Sequence, residues 1–184
     1  MTPTEVRIVE AALGLIAQHG LGGVSMTGVA GAAGVSRQTL YNHFPGVEEI
    51  VTAILEQHQG ESLDRLDALL ATEDRASGRL ELLIRHQAAV VGHPGHGPEL
   101  ARALSAGARE ILLQYEASLT DRIVGILADG IACGEFRGDL DPGRDAVLLL
   151  RMLDGLADLA RSVPDDRAAA VTGALQMVHG AVVA

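Results

Sequence analysis

The chain of 184 residues contains no lysine and no tryptophan, a single cysteine, Cys133, and only four aromatic side chains, two Phe and two Tyr. One cysteine excludes an internal disulfide and agrees with a reducing compartment. No run approaches the roughly 18 uninterrupted apolar residues of a membrane span. The start, Met1-Thr-Pro-Thr-Glu5, lacks the basic opening and apolar core of a signal peptide, so a cytoplasmic protein without membrane association is expected. A nucleophile elbow, a phosphate loop, a dinucleotide fingerprint and a His-Glu metal motif are all missing, which argues against an enzyme. Internal repeats and low-complexity tracts are missing too.

Positive charge is scarce, and its distribution is informative. The net charge is −10. Residues 1–47 carry Arg7 and Arg37 against Glu5 and Glu10 and are neutral, so the whole imbalance falls on 48–184, with 12 Arg against 22 acids. Only the N-terminal segment is suited to face a polyanion. With 48 % apolar residues the chain is expected to fold around a core.

Within that segment, residues 24–44 read as two short helices joined by a tight turn. Ser25 is placed to cap the first helix and Ser36 the second, each hydroxyl accepting from an otherwise unpaired backbone N–H. Gly34 ends the first helix where the chain turns through positive φ, which a residue lacking Cβ adopts at little cost. Ala30 is small enough to let the helices cross, and Val29, Val35 and Leu40 supply apolar contacts. This is helix-turn-helix spacing. On the second helix, about 37–44, Leu40 and Phe44 face inward while Arg37, Gln38, Thr39, Tyr41, Asn42 and His43 crowd the other side. Arg pairs with guanine O6 and N7 and Asn or Gln with adenine N6 and N7, whereas Thr, Tyr and His suit phosphate oxygens. A short helix with this face fits a major groove.

The run from Ile8 through Ile50 resembles the DNA-binding domain of TetR-family transcriptional regulators. The matching residues are Ile8, Ala11-Ala12, Leu15-Ile16, His19-Gly20, Ser25, Val29-Ala30, Ala33-Gly-Val-Ser36, Thr39-Leu-Tyr-Asn-His-Phe44 and Glu48-Glu-Ile50. About a quarter of the chain carries the resemblance. It implies an all-α homodimer, with a three-helix DNA-binding domain followed by a helical effector-binding and dimerisation domain. Such a protein binds a palindromic operator and is released by a small molecule. It further implies base reading by Arg37, Gln38 and Asn42, with Ser25, Thr27, Ser36, Thr39, Tyr41 and His43 at the backbone. Where the family usually places a phosphate-holding Lys, this chain has Val47. That contact does not carry over, and few cations predict a shallow salt dependence unless helix N-termini and hydroxyls compensate.

The remaining chain also reads as helical. Thr2-Pro-Thr-Glu5 is a capping box that opens a helix ended by Gly20. Pro45-Gly46 breaks the chain, giving domains at 1–46 and 47–184. A helix is expected over 47–70, with Gly60 as a tolerated glycine, a break or a hinge. Others are expected over 79–91, 99–104, about 109–136 and 143–161, and a last one toward Val183. His93 and His96, followed by Glu99 and preceded by His86, have a spacing a metal could use. A Gly-Pro loop lacks the rigidity of a zinc site, however, and neither metal nor cofactor is expected. Helices 109–136 and 143–161 are expected to form the dimer hairpin, with Leu119, Ile123, Ile126, Leu148, Met152, Gly155, Leu156 and Leu159 at the interface, Gly155 allowing another helix close.

Polar residues that could line an effector site are His58, Arg85, His86, Arg109, Tyr115, Arg151 and Asp154. The shortage of aromatics disfavours stacking of flat drugs and favours an aliphatic or modestly polar effector. Two recognition helices must stand about 34–36 Å apart, one duplex turn. A ligand that tilts helix 47–70 would therefore end binding. A ligand-activated regulator, one that has lost ligand response, and a helical small-molecule carrier are the alternatives.

Overall fold

A computed structural model describes residues 1–91, 105–162 and 167–183, with side chains described at all of these except 90–91, 156–162 and 167. It is helical, as expected, and no extended strand occurs among the described residues. The expected helix 99–104 and the histidines His93 and His96 lie outside the described residues. The chain forms two compact units: residues 1–60 with 101–112, and residues 61–100 with 113–184.

In the first unit, α1 spans Pro3–His19 and starts from the complete capping box. The Glu5 N–H donates to Thr2 Oγ1 at 3.3 Å, and the Thr2 N–H donates to Glu5 Oε2 at 2.8 Å. Gly20, at φ 71°, ends it, and a 3-10 turn over Leu21–Gly23 leads on. Helix α2 spans Met26–Ala33 and α3 spans Arg37–His43. Ser25 Oγ accepts the Gly28 N–H at 3.2 Å, and Ser36 Oγ accepts the Thr39 N–H at 3.0 Å. Between them Gly34 sits at φ 63°, ψ 34°, and the Val35 N–H returns to the Ala30 carbonyl at 3.0 Å. That reverse bond closes the last turn of α2 and sets the direction in which α3 leaves.

Helix α4 spans Val47–Leu70 without interruption at Gly60, so the chain is not broken there. Its first turns contribute Ile50 and Ile54 to a core with Ile8, Val9, Ala12, Val29, Ala30, Leu40 and Phe44. This is why the compact unit continues to residue 60. Ile8, Leu40 and Ile50 are fully buried, each contributing about 1.5–3 kcal/mol relative to an exposed side chain.

The second unit packs the end of α4, α5 (Ala76–Val91), α6 (Ala106–Cys133, from Leu113 onward), α7 (Pro142–Ser162) and α8 (Arg167–Val182). Its core includes Leu66, Leu80, Leu83, Ile84, Leu119, Ile123, Leu127, Leu149, Leu150 and Leu153. Helix α5 begins three residues before the periodicity predicts because the Glu135 carboxylate caps it from far along the chain. It accepts the N–H groups of Ala76 and Ser77 at 3.2 and 3.0 Å and the Ser77 hydroxyl at 2.6 Å. Helix α6 ends earlier than expected, at Cys133, where Gly134 takes φ 78°. Phe136 then folds back into the core, and a Cβ at Gly130 would run into its ring. At α7, Asp141 Oδ1 accepts the Arg144 N–H at 2.8 Å and Asp145 Oδ2 returns to the Asp141 N–H at 2.8 Å.

The structure divides the residues of the expected dimer face into a buried and an exposed set. Leu119, Ile123 and Ile126 are buried within their own chain. Periodicity marked them as inward-facing without saying what lies inside. Leu148 and Met152, by contrast, are exposed on α7, alongside Val147, and Met177 is exposed on α8. Gly155 is exposed, and among the described residues nothing would meet a Cβ there. The side chains of Leu156 and Leu159 are outside the described set.

The cap at Glu135 carries a pH signature. Hydrogen bonds from Ser77, first the hydroxyl and then the backbone, lower its pKa from 4.5 to about 2. A depressed carboxyl stabilises the fold above its unfolded pKa and loses that contribution as pH falls through the folded value. Glu135→Gln should therefore be less stable than the native chain at pH 7. The gap should close between about pH 4.5 and 2, as read from urea unfolding at several pH values.

Candidate nucleic-acid interface

Helix α3 is seven residues long, too short to hold together unaided in water. Leu40, fully buried, and Phe44, nearly so, fix it to the first unit's core. The remaining side chains face out. Arg37, Gln38, Tyr41 and Asn42 are exposed, Tyr41 by 52 %, while Thr39 and His43 are half-buried. Gln38 Nε2 donates to Asn42 Oδ1 at 3.0 Å, one turn apart. Each amide keeps hydrogen-bonding capacity after this contact, and each restrains the rotamer of the other. Ser36 Oγ and Thr39 Oγ1 lie 2.8 Å apart, so the hydroxyls at the start of α3 are oriented as a pair. Thr27 is exposed on α2, and Ser25 Oγ is engaged as the cap.

His43 is held from another element. Its Nδ1 lies 3.1 Å from Glu5 Oε1, while Glu5 Oε2 accepts the Thr2 N–H. The capping carboxylate of α1 thus also braces the end of α3. The Thr2 N–H first, and then the bond from His43, hold the Glu5 carboxyl below its ordinary pKa. The sequence shows Glu5 only as the third residue of a capping box, with no local hint of a partner 38 positions away.

Of the proposed effector-lining residues in the second unit, His86 and Tyr115 join one buried hydrogen-bond network. Ser62 Oγ lies 3.0 Å from His86 Nε2 and 3.1 Å from Tyr115 Oη, and Tyr115 Oη donates to Gln87 Oε1 at 3.2 Å. One proton per hydroxyl fixes the direction of this chain of bonds. Tyr115 gives its proton to Gln87 and accepts from Ser62, which in turn accepts from His86 Nε2–H. Burial lowers the His86 pKa, helped by the charge of Arg65, and burial raises that of Tyr115. Both are neutral at pH 7, and the network is uncharged. Ser62 and Gln87, its buried members, escape a sequence reading because nothing local distinguishes them from other helix polars.

The other candidates lie elsewhere. Arg85 is exposed and paired with Glu81 at 2.8 Å. It lines a cleft of about 300 Å³ shared with Leu80, Ile84, Phe136, Leu175 and His179. Arg151 is exposed, bonded to Asp154 at 3.0 Å and Glu116 at 3.1 Å. His58 and Arg109 are exposed in the first unit. No group of three His, Cys, Asp or Glu suited to a metal occurs among the described residues. None of the described helices is long and apolar enough to cross a membrane.

Known proteins agree with this geometry. Residues 8–54 match the family described as "Bacterial regulatory proteins, tetR family". The chain is 25 % identical over 145 residues to the fatty acid metabolism regulator protein of Bacillus subtilis, covering 76 % of this chain and 74 % of that one. It is 27 % identical over 175 residues to the HTH-type transcriptional repressor SCO4008 of Streptomyces coelicolor, covering 92 % and 84 %. Among solved structures, a putative transcriptional regulator from Saccharomonospora viridis in complex with choline superposes with a TM-score of 0.82 at 23 % identity, over 100 % of both chains. The family match over residues 8–54, the capped turn at Gly34 and the transcriptional regulators found by sequence agree: residues 8–54 form a DNA-binding domain of the tetR family of bacterial regulatory proteins.

Proposed function

We propose that the chain is a cytoplasmic, homodimeric repressor that holds a palindromic operator through α3 and releases it when a small-molecule effector binds the domain of residues 47–184. The observation carrying this reading is the outward face of α3, where Arg37, Gln38 and Asn42 stand exposed without an acidic neighbour on the same helix. Residues 1–46 read the DNA, and 47–184 hold the effector and the partner subunit. Thr27, Thr39, Tyr41 and His43 contact phosphate, with the Ser25 and Ser36 caps pointing helix N-termini at the backbone. A relative named as a repressor supports the direction of regulation.

The partner surface is the exposed apolar side of α7 and α8, where Leu148 and Met177 are 56 % and 66 % exposed. A second copy related by a two-fold axis would cover it and make a four-helix bundle. For the effector, the uncharged His86–Ser62–Tyr115–Gln87 network among Leu66, Leu83 and Leu119 is the best-placed anchor. It favours an aliphatic molecule with a neutral hydrogen-bonding group. The continuous α4 carries the response toward the reading head, and the effector's differential affinity for the two states sets its size.

Three outcomes test this reading. In anisotropy titrations against DNA flanking the chain's own gene, the native protein should bind one dimer per operator and prefer it to scrambled duplex. Arg37→Ala and Asn42→Ala should each lose about 1–3 kcal/mol of discrimination at particular base pairs. A uniform loss across sequences would remove Asn42 from the base readers. Leu148→Glu should yield a folded monomer by light scattering and lose tight operator binding, and a persisting dimer would move the interface elsewhere. Tyr115→Phe should keep operator affinity while weakening release by an effector found in a thermal-shift screen. Unchanged release would exclude the network as the anchor.

A further inference from the structure

The brace between Glu5 and His43 has a chemical consequence for DNA binding. Glu5 uses both oxygens, Oε2 for the Thr2 N–H and Oε1 for His43 Nδ1. A carboxylate only accepts, so Nδ1 must carry the proton. A neutral imidazole has one N–H, so Nε2, the only ring nitrogen left for another partner, is then an acceptor. A phosphate oxygen is also an acceptor. Neutral His43, held by Glu5, therefore cannot bond a phosphate.

We propose that Glu5 is a positioning residue that makes operator binding consume a proton. It holds His43 in the tautomer lacking a free donor, so the His43–phosphate contact forms only with the imidazolium. This rests on the reading that α3 meets DNA. The imidazolium has two donors, one for Glu5 and one for phosphate, and the carboxylate stabilises its charge. Such a charge matters more here than in a basic reading head, because Arg7 and Arg37 are the only arginines between residues 1 and 64 and the chain has no lysine.

The surrounding groups leave Glu5 in control. Helix α2 carries no titratable residue, α1 adds Arg7, Glu10 and, at its far end, His19, α3 adds Arg37 and Tyr41, and α4 begins with Glu48 and Glu49. Among the described residues, only Glu5 is hydrogen-bonded to His43. Because the Thr2 N–H and His43 depress its pKa, Glu5 stays ionised across the neutral range.

Substitution of Glu5 separates this role from simple bracing. In Glu5→Gln the amide oxygen is claimed by the Thr2 N–H, which leaves the NH2 group for Nδ1. Nδ1 then accepts, and Nε2–H becomes a donor on the neutral ring. Gln is compatible with a capping box, so α1 retains its start.

The experiment is operator binding by the full-length dimer from pH 6 to 8.5, with salt titrations at both ends and calorimetry in two buffers of different ionisation enthalpy. The native protein should weaken with rising pH by as much as about tenfold per unit for each half-site. Calorimetry should show net proton uptake on binding. The salt slope should be steeper at pH 6 by about 0.9 per half-site, the increment for one added phosphate contact. Glu5→Gln should flatten the pH profile and match or exceed native affinity at pH 8.5, and His43→Gln should abolish the pH dependence. Equal weakening of Glu5→Gln at every pH would reduce Glu5 to a brace and overturn the proposal. So would a pH-independent native protein, or a pH dependence that survives in His43→Gln. Failure to prefer operator over scrambled DNA at any pH would instead defeat the DNA-reading role of α3, and this inference with it.

Discussion

The anchoring of α3 by Leu40 and Phe44 is the constraint on which the reading head depends. Seven residues make too few backbone bonds to offset their own ordering, so the helix exists because two side chains four apart are buried among Ile8, Val29, Ile50 and Ile54. The caps at Ser25 and Ser36 and the left-handed Gly34 then decide where it starts and which way it runs. Once the inner side is committed to the core, the outer side chains are presented on a rigid support. A fixed geometry of this kind is what discrimination between bases by a few hydrogen bonds requires.

What was legible in the sequence was mostly what is local. The capping box at Thr2, both serine caps and the glycine turn each involve residues within a few positions, and each has the predicted form. The family resemblance was also local, since the signature lies in α2 and α3. Contacts between distant positions were not legible. Glu135 reaching the start of α5, Glu5 reaching His43 and the Ser62 network span 24 to 59 positions. No spacing rule announces them.

The burial of Leu119, Ile123 and Ile126 within their own chain escapes a sequence reading for a related reason. A period of 3.6 identifies an apolar stripe but not its partner. Helix α6 spends that stripe on α4, α5 and α7 within its own unit. Helix α7 is different because it carries two apolar faces. Leu149, Leu150 and Leu153 are buried, whereas Val147, Leu148 and Met152 face outward. Only the coordinates separate the face already used from the face left over.

The sparse charge of the reading head also bears on how such a protein searches a genome. Arg37 is exposed on α3, yet it is one of two arginines in residues 1–47, and the rest of the chain is acidic. Non-specific affinity for duplex grows with the number of phosphates neutralised, so this surface would spend little time on arbitrary chromosomal DNA. Most copies would diffuse freely between brief encounters. Operator occupancy would then follow the total number of molecules in the cell closely, with little of the pool sequestered along the chromosome.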